Sequence, residues 1–277
     1  MDPTVQEHIS GVLPEGLGPA IGETAADIAA LLHGLPDTAF PVPDSEWSVG
    51  EAAAHLALAN ELMADLARGQ ERQYGDGTPQ ALAAANAQAL DAFGERRAEP
   101  LAAMIVEQAD AFLAAAAQAP ADEAAARALV TPLGSMNRDV LASYLLTHML
   151  GHGYDLARAL RRPHMIDRDR VLLCMPFLLS VMPRVADPAA MAGLTARYTI
   201  RLRGGPAFGV FVADGAVGVT QGSLDRSDCT ILIEPVTFLL TALGRRGPWR
   251  SIAQGRVLTW GRKPWLAPRF PTLFVAP

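Results

Sequence analysis

The spacing of apolar residues changes near Pro188 from a helical period to strict alternation, and this change constrains the fold more than any other feature. Before it, apolar residues recur at intervals of three and four, for example at Ile21, Ile28 and Leu32. After it they alternate with polar residues, as in the segment YTIRLR at 198–203. We therefore predict an α+β protein in which a helical domain, residues 1–188, precedes a smaller α+β domain, residues 189–277.

The first part contains enough helices for a four-helix bundle. The clearest helix start is at Ser48 and Glu51, which form a capping box. The segment 138–160 is apolar on nearly all sides, so we expect it at the buried centre of the bundle. The predicted helices are 19–32, 48–68, 79–97, 100–118, 138–160 and 168–185, of which the third and fourth are either separate or one helix kinked at Pro100.

The second part begins with strands. Asp214-Gly215 lies between two short apolar runs and favours the positive φ angles of a type I′ turn, which predicts a β-hairpin. The segment CTILIEP at 229–235 predicts a further strand, followed by a helix that begins near Pro235.

Three histidines of the helical part are candidates for a metal site. His148 and His152 are four residues apart, so they project from one face of the central helix. His55 lies among small apolar residues of the second helix and can supply a third nitrogen. Three protein ligands leave coordination positions open, as a catalytic metal site requires.

The competing interpretation is that each histidine is a packed core residue bonded to a carbonyl group. We assign that role to His33 and His164. For the other three we favour a metal, because three buried imidazoles would otherwise each need a separate hydrogen-bond partner.

Asp155 is a candidate catalytic residue because it follows His152 by three positions. It is expected either to orient an imidazole or a metal-bound water, or to pair with Arg158. Three neutral imidazoles leave the full charge of a divalent ion in place, so a thiol or water at the ion should lose its proton near neutral pH.

Composition and charge argue against several functions. Residues 1–196 carry a net charge of −13 and residues 197–277 one of +7, within a total of −6. The arginines of the second part form no dense run, which favours a small anionic ligand over nucleic acid.

No signal peptide is evident, and the apolar stretch at 171–182 is short, so we expect no membrane partner. Cys174 and Cys229 lack metal or disulfide spacing, which is typical of a cytoplasmic protein.

Several segments carry family-like motifs: EWSVGEAAAHL at 46–56, ANAQAL at 85–90, HMLGHGYDLARAL at 148–160, YTIRLRGG at 198–205 and EPVTFLLTALGRRG at 234–247. The chain thereby resembles the mycothiol-dependent maleylpyruvate isomerase family. This resemblance implies a DinB-like metal-binding bundle followed by a sterol-carrier-like domain. It also implies one divalent ion, usually zinc, and mycothiol or a similar thiol as cosubstrate. Trp47 and Asn86, within the matched segments, are interpreted as structural: the first packs the loop and the second bonds buried backbone.

Carried over by position, His55 and His152 match metal ligands of the family. The chain departs at His148, where the isomerase has glutamate and many other DinB-like bundles have histidine. The family completes its site with an arginine of the second domain. Arg245 is the best match for it and is predicted to be a catalytic residue. Arg246 is the alternative and is predicted to bind the cofactor. A guanidinium group suits this role because it binds a carboxylate through two hydrogen bonds. The alternative is that both are surface charges at a helix end.

Three functions are compatible with these features. The first is a metal-dependent enzyme that uses a thiol to isomerise or S-conjugate a small anionic electrophile. The second is a non-catalytic protein whose second domain binds an apolar or anionic ligand, such as a lipid. The third is a thiol-independent hydrolase or tailoring enzyme in which the metal acts directly. A monomer or a homodimer is expected.

Overall fold

The computed structural model describes residues 13–70, 72, 74, 76, 81–118, 128–131 and 133–275, and the chain divides into two compact units, Met1–Met165 and Ile166–Pro277. This division differs from the predicted boundary at 188/189. The reason is that the short helices before residue 188 share an apolar core with the sheet. Phe177 and Val181, for example, line the same cavity as Ile200 and Ile231 of the sheet.

The first unit is built around a four-helix bundle. Its long helices are α1 (Leu17–Leu32), α2 (Val49–Ala67), α4 (Ala98–Gln118) and α5 (Arg138–Ala159). Both α1 and α2 pack against α4 and against α5. A shorter helix, α3 (Leu82–Ala92), packs on α2. The core consists of large apolar side chains with no exposed surface, including Ile21, Ile28, Leu56, Ile105, Phe112 and Leu145.

Side-chain caps fix where α2 and α5 begin. The Ser48 hydroxyl accepts a hydrogen bond from the Glu51 backbone N–H at 3.2 Å, and the Glu51 carboxylate accepts one from the Ser48 N–H at 2.7 Å. These bonds confirm the predicted capping box and lower the pKa of Glu51. At the start of α5, Asn137 Oδ1 accepts from the Val140 N–H at 2.9 Å. The caps matter for the site because α2 and α5 carry the candidate histidines.

The helices predicted at 79–97 and 100–118 are two separate helices, since α3 ends at Ala92 and α4 begins at Ala98. Pro100 lies in the first turn of α4, where a proline needs no N–H partner, and not at a kink within one helix. A small antiparallel hairpin of β1 (Leu129–Thr131) and β2 (Gly134–Met136) precedes α5 and was not predicted.

Helix α4 is long and apolar enough to cross a membrane by length and composition, and among the described residues it alone passes that test. It packs against α1 and α2 of the bundle, as the core helix of a folded domain does. The criterion is therefore weak evidence for a membrane span.

The second unit is a mixed five-stranded sheet with short helices. Its strands lie in the order β5-β4-β3-β6-β7, with β3 parallel to β6 and all other neighbours antiparallel. Its elements are α6 (Arg168–Leu173), α7 (Met175–Val181), α8 (Pro188–Met191), β3 (Ala196–Leu202), β4 (Ala207–Ala213), β5 (Ala216–Gln221), β6 (Cys229–Ile233), α9 (Pro235–Ala242), α10 (Pro248–Ala253), β7 (Val257–Trp260) and two 3₁₀ helices, Pro264–Arg269 and Pro271–Leu273.

The turn and strand predictions for this unit are confirmed, whereas one helix prediction is wrong. Asp214 and Gly215 have φ angles of 52° and 75° and join β4 to β5, as expected for a type I′ turn. The segment predicted as a single helix at 168–185 forms two short helices, α6 and α7, that meet at Cys174. The break occurs where Pro176, which has no N–H, enters the first turn of α7.

Candidate metal centre

The bundle brings together the three histidines predicted as ligands, which we call the histidine cluster: His55 of α2 with His148 and His152 of α5. The Nε2 atoms of His55 and His148 lie 3.0 Å apart. One ligand nitrogen from each ring lies within 4.8 Å of the others, and the ring centroids are 4.6–4.9 Å apart. Within the described ranges, this is the one group of three or more such side chains close enough to share an ion.

The donor set fits a divalent metal. Two imidazole nitrogens that bind one tetrahedral ion at ~2.0–2.1 Å are about 3.3 Å apart, close to the observed separation of His55 and His148. Three neutral nitrogen donors suit zinc, nickel, copper and iron better than magnesium or calcium. His55 is only 5% exposed, and the other two are part-buried. A bound ion would therefore have protein ligands on one side. Other ligands could approach it from the other side.

Asp155 lies beside the cluster. One of its carboxylate oxygens is 3.6 Å from Nδ1 of His152, slightly beyond hydrogen-bond distance, and both side chains are largely buried. Arg158, its competing partner in the sequence analysis, instead forms an ion pair with Asp44 at 3.0 Å. These contacts favour the role in which Asp155 orients the imidazole of His152.

The part of the chain that holds the histidine cluster also matches a known domain family. A family model described as the mycothiol maleylpyruvate isomerase N-terminal domain matches residues 21–157, which include all three histidines. The match spans 137 of the 277 residues and lies within the first unit. The resemblance seen in the sequence is thereby confirmed for this part of the chain. No curated protein gives a significant match.

One solved structure shows the same fold over most of the chain. A crystal structure of a histidine-to-alanine mutant of the mycothiol-dependent maleylpyruvate isomerase matches with a TM-score of 0.53 and 12% identity, over 89% of this chain and 93% of that one. A crystal structure of the isomerase itself matches over the same shares with a TM-score of 0.48 and 13% identity. Because the mutant structure is only 12% identical, its similarity shows the fold alone. That fold confirms the α+β prediction.

A more limited match is to the stereoselective inverting sec-alkylsulfatase Pisa1 from Pseudomonas sp., with a TM-score of 0.32 and 15% identity. It covers 50% of this chain, and this chain spans only 24% of that protein.

Trp47 lies closer to the candidate metal centre than sequence reasoning suggested. Its ring centroid is 4.8 Å from that of His55 and 5.9 Å from that of His152, so it contacts the histidine cluster as well as the loop before α2. The signal in the sequence was its position directly before the cap residue Ser48, within two helical turns of His55. Trp47 therefore forms part of the wall around the candidate ion.

Tyr144 is a second neighbour that sequence reasoning missed. It precedes His148 by four residues on α5, and its ring lies edge-on to that imidazole at 6.2 Å. Burial, with a smaller contribution from nearby Tyr74, raises the pKa of Tyr144, so its hydroxyl stays neutral. The spacing of 144, 148 and 152 at successive turns was the signal available in the sequence.

Asn86 was predicted to bond buried backbone. The structure instead gives it a side-chain contact, since the Tyr74 hydroxyl donates to Asn86 Oδ1 at 2.6 Å.

The two arginines predicted for the site belong to the second unit, directly after α9. Arg245 Nη1 donates to the Leu243 carbonyl oxygen at 2.6 Å, and the backbone N–H groups of Arg245 and Arg246 both donate to the Leu240 carbonyl. Arg246 contributes to the wall of an apolar cavity within that unit. Their action on a ligand of the histidine cluster stays a prediction.

His33 and His164, interpreted in the sequence analysis as packed core residues, lie outside the cluster, and that interpretation is wrong because both are exposed. His33 is exposed and contacts the Glu99 carboxylate at 3.1 Å. His164 lies beside the ring of Tyr154, with centroids 5.4 Å apart.

Proposed function

We propose that the chain is a divalent-metal-dependent enzyme that uses mycothiol, or a similar low-molecular-weight thiol, to isomerise or S-conjugate a small anionic electrophile. The observation that carries this proposal is the convergence of three imidazoles inside a domain of the maleylpyruvate isomerase N-terminal family. Zinc as the ion and the cytoplasm as the location belong to the same proposal.

The histidine cluster would hold the ion through three neutral nitrogens. A divalent ion there would lower the pKa of a thiol that reaches it, so that the nucleophilic thiolate is available near neutral pH. The Asp155 carboxylate, 3.6 Å from Nδ1 of His152, would favour a proton on that nitrogen, which leaves Nε2 free to bind. Trp47 would exclude water from one side of the centre, because its ring lies against two of the three imidazoles.

Arg245 is proposed to hold a carboxylate of the substrate. Its guanidinium can form two parallel hydrogen bonds with that group, which would position the electrophile as well as bind it. A small unsaturated diacid is therefore the first substrate class to test.

Isomerisation and S-conjugation differ in the balance of thiol. Isomerisation of a cis double bond to trans returns the thiol, because the carbon–sulfur bond that forms is broken again. Conjugation keeps that bond and consumes one thiol for each substrate molecule. A thiol assay beside a substrate assay therefore separates the two reactions.

The test begins with metal analysis of the purified chain, followed by calorimetric titration of mycothiol into metal-loaded and metal-free protein. Expected results are one equivalent of metal, and thiol binding with release of a proton in the metal-loaded form only. Turnover of unsaturated diacids is then followed by absorbance, with free thiol measured in parallel. His152→Ala should lose metal, thiol binding and turnover together, whereas the exposed-site variant His33→Ala should retain all three.

Two outcomes would replace this proposal. Turnover that requires metal but no thiol would identify a hydrolase or tailoring enzyme in which the metal acts directly. Absence of bound metal under all loading conditions would show that the histidine cluster is packing, and would leave ligand binding by the second unit as the remaining function.

A further inference from the structure

One face of the sheet in the second unit is apolar and exposed. Leu232 of β6 lies directly opposite Leu258 of β7, and Thr230 lies opposite Trp260. Because alternate residues of a strand point to the same side, Leu232, Leu258 and Trp260 share one face. Leu258 and Trp260 are 49% and 44% exposed, whereas Val257, on the other side of β7, is buried. We call Leu232, Leu258 and Trp260 the apolar strip.

Arginines border the apolar strip on β3. Arg201 lies opposite Leu232 in the parallel pair of β3 and β6, and its side chain is exposed. Arg203 follows two residues later, on the same side, and is exposed as well. Within the described part of the chain, neither guanidinium group has a carboxylate partner.

The second unit leaves this surface positively charged. Residues 235–277 contain seven basic residues and no acidic one. The two acidic residues on either side of β6 already have cationic partners: Asp228 pairs with Arg262 at 2.6 Å and Glu234 with Arg256 at 3.2 Å. An apolar surface with uncompensated cations favours a partner that has both apolar and acidic side chains.

The first unit has a surface of the opposite charge in the loop before α2. Residues 36–46 contain three acidic residues and no basic one, and we call this segment the acidic loop. Asp44 pairs with Arg158 at 3.0 Å. Asp37 and Glu46 are exposed and have no cationic partner among the residues that the structure describes. The loop therefore carries two carboxylates that are available to a partner.

The acidic loop also presents an aromatic ring on a fixed backbone. Phe40 is 47% exposed. Its carbonyl oxygen accepts a hydrogen bond from the Val49 N–H at 2.8 Å, and the nearby Thr38 hydroxyl donates to the Arg96 carbonyl at 2.6 Å. A ring held in this way loses little conformational freedom when it docks, which favours association.

We propose that the acidic loop of one copy of the chain binds the apolar strip of a second copy. Phe40 packs on Leu258 and Trp260, and the free carboxylates of Asp37 and Glu46 lie near the arginines that border the strip. Both surfaces are exposed, so each is available to another copy.

The charges also determine the form of the assembly. Contact between two strips or between two loops is disfavoured, because it brings like charges together. A reciprocal exchange, in which each copy gives its loop and receives the other, closes the assembly as a two-fold dimer. This interface goes beyond the proposed enzymatic function, since it uses no residue of the histidine cluster.

The test begins with sedimentation velocity and light scattering of the full chain between about 1 and 200 µM. We expect a reversible equilibrium of monomer and dimer with a Kd on the order of 10 µM, because each contact is small. Raising the salt concentration from about 0.05 to 0.5 M should weaken association at least about fivefold, since exposed charges are screened.

Variants locate the two surfaces. Trp260→Glu in the strip and Phe40→Glu in the loop should each weaken association at least about tenfold. Val130→Glu is the matched control: it adds the same charge at a residue that is 68% exposed in β1 and should associate like the wild type. Circular dichroism melts establish that each variant folds.

A mixture of the two variants tests whether the loop binds the strip. Trp260→Glu keeps an intact loop and Phe40→Glu an intact strip, so one of the two contacts can form between them. Fluorescence anisotropy of labelled Trp260→Glu should therefore rise when Phe40→Glu is added, and should not rise when unlabelled Trp260→Glu is added.

A single chain mass at all concentrations would overturn the proposal. Association that salt does not weaken, that persists in either variant, that fails in the mixture, or that grows beyond two copies would also overturn it. So would compaction at low salt without a change of mass, which would indicate a contact within one chain, or binding to phosphatidylserine vesicles by a chain that stays monomeric. His152→Ala separates this proposal from the enzymatic one: it should lose metal but associate like the wild type.

Discussion

His55 Nε2 and His148 Nε2 lie 3.0 Å apart although 93 positions separate the two residues along the chain. They come from different helices of one bundle, α2 and α5, which pack directly against each other. Without an ion, two neutral imidazoles at this distance form one N–H···N hydrogen bond. With an ion, both nitrogens are unprotonated and direct their lone pairs to the metal, so the same geometry serves as part of a metal site.

The first prediction concerns metal content. His152→Ala removes one of three ligands, and we expect bound metal to fall from about one equivalent to under about a tenth after dialysis, because two imidazoles hold a divalent ion far less tightly than three. Mass-spectrometric metal analysis gives the result. His33→Ala, which alters an exposed histidine outside the cluster, should keep the wild-type content. Equal metal loss in both variants would refute the assignment.

The second prediction concerns stability. We consider an ion that binds only the folded first unit. When its free concentration is about 100 times its dissociation constant, it adds about 2.7 kcal/mol to the free energy of unfolding. For a unit of this size that corresponds to a rise in Tm of roughly 5–10 °C. Thermal melts with zinc and with a chelator measure it. The rise should vanish in His152→Ala, and an equal rise in that variant would show that zinc acts elsewhere.

The third prediction concerns Asp155. Asp155→Asn keeps the size of the side chain but removes the charge near His152 Nδ1, so the ring is less well oriented and less basic. We expect metal affinity to fall about 10-fold to 100-fold, measured by competition with a chromophoric chelator. Asp44→Asn is the control, because it breaks the surface ion pair with Arg158 and leaves the cluster untouched. Comparable affinity for wild type and Asp155→Asn would exclude the orienting role.

The fourth prediction concerns the pH dependence of stability in the second unit. Burial alone would raise the pKa of Asp228, but hydrogen bonds from Arg262 and from the Arg197 N–H, with Lys263 nearby, lower it below its usual value. The stabilisation by this carboxylate is therefore fully present above its ordinary pKa of 3.8 and is lost as pH falls through the lower folded value.

Asp228→Asn should accordingly reduce the free energy of unfolding by about 1–3 kcal/mol at pH 7. The difference from the wild type should shrink at pH 3 and below. Urea unfolding of both proteins at pH 7, 5 and 3 measures this. Asp225→Asn, three residues earlier and exposed, should have little effect at any pH. A difference that stays constant down to pH 3 would mean that packing, and not charge, explains the loss.

The structure also shows which local signals were sufficient. The capping box at Ser48 and Glu51 and the turn at Asp214-Gly215 depend on hydrogen bonds and backbone angles within a few residues, and both were predicted correctly. The division of the chain was harder to place. The segment 168–181 is helical, which favoured assigning it to the bundle, yet its apolar residues pack on the sheet.

The candidate site follows the same rule. The sequence by itself determined that His148 and His152 share one face of α5, because their spacing of four residues is set by the geometry of the helix. Only the tertiary structure decided that His55 completes the cluster, that Trp47 lies against it, and that Arg158 pairs with Asp44. Helical periodicity acts between neighbours in the chain, whereas the position of α2 on α5 depends on how all four helices fill a common core.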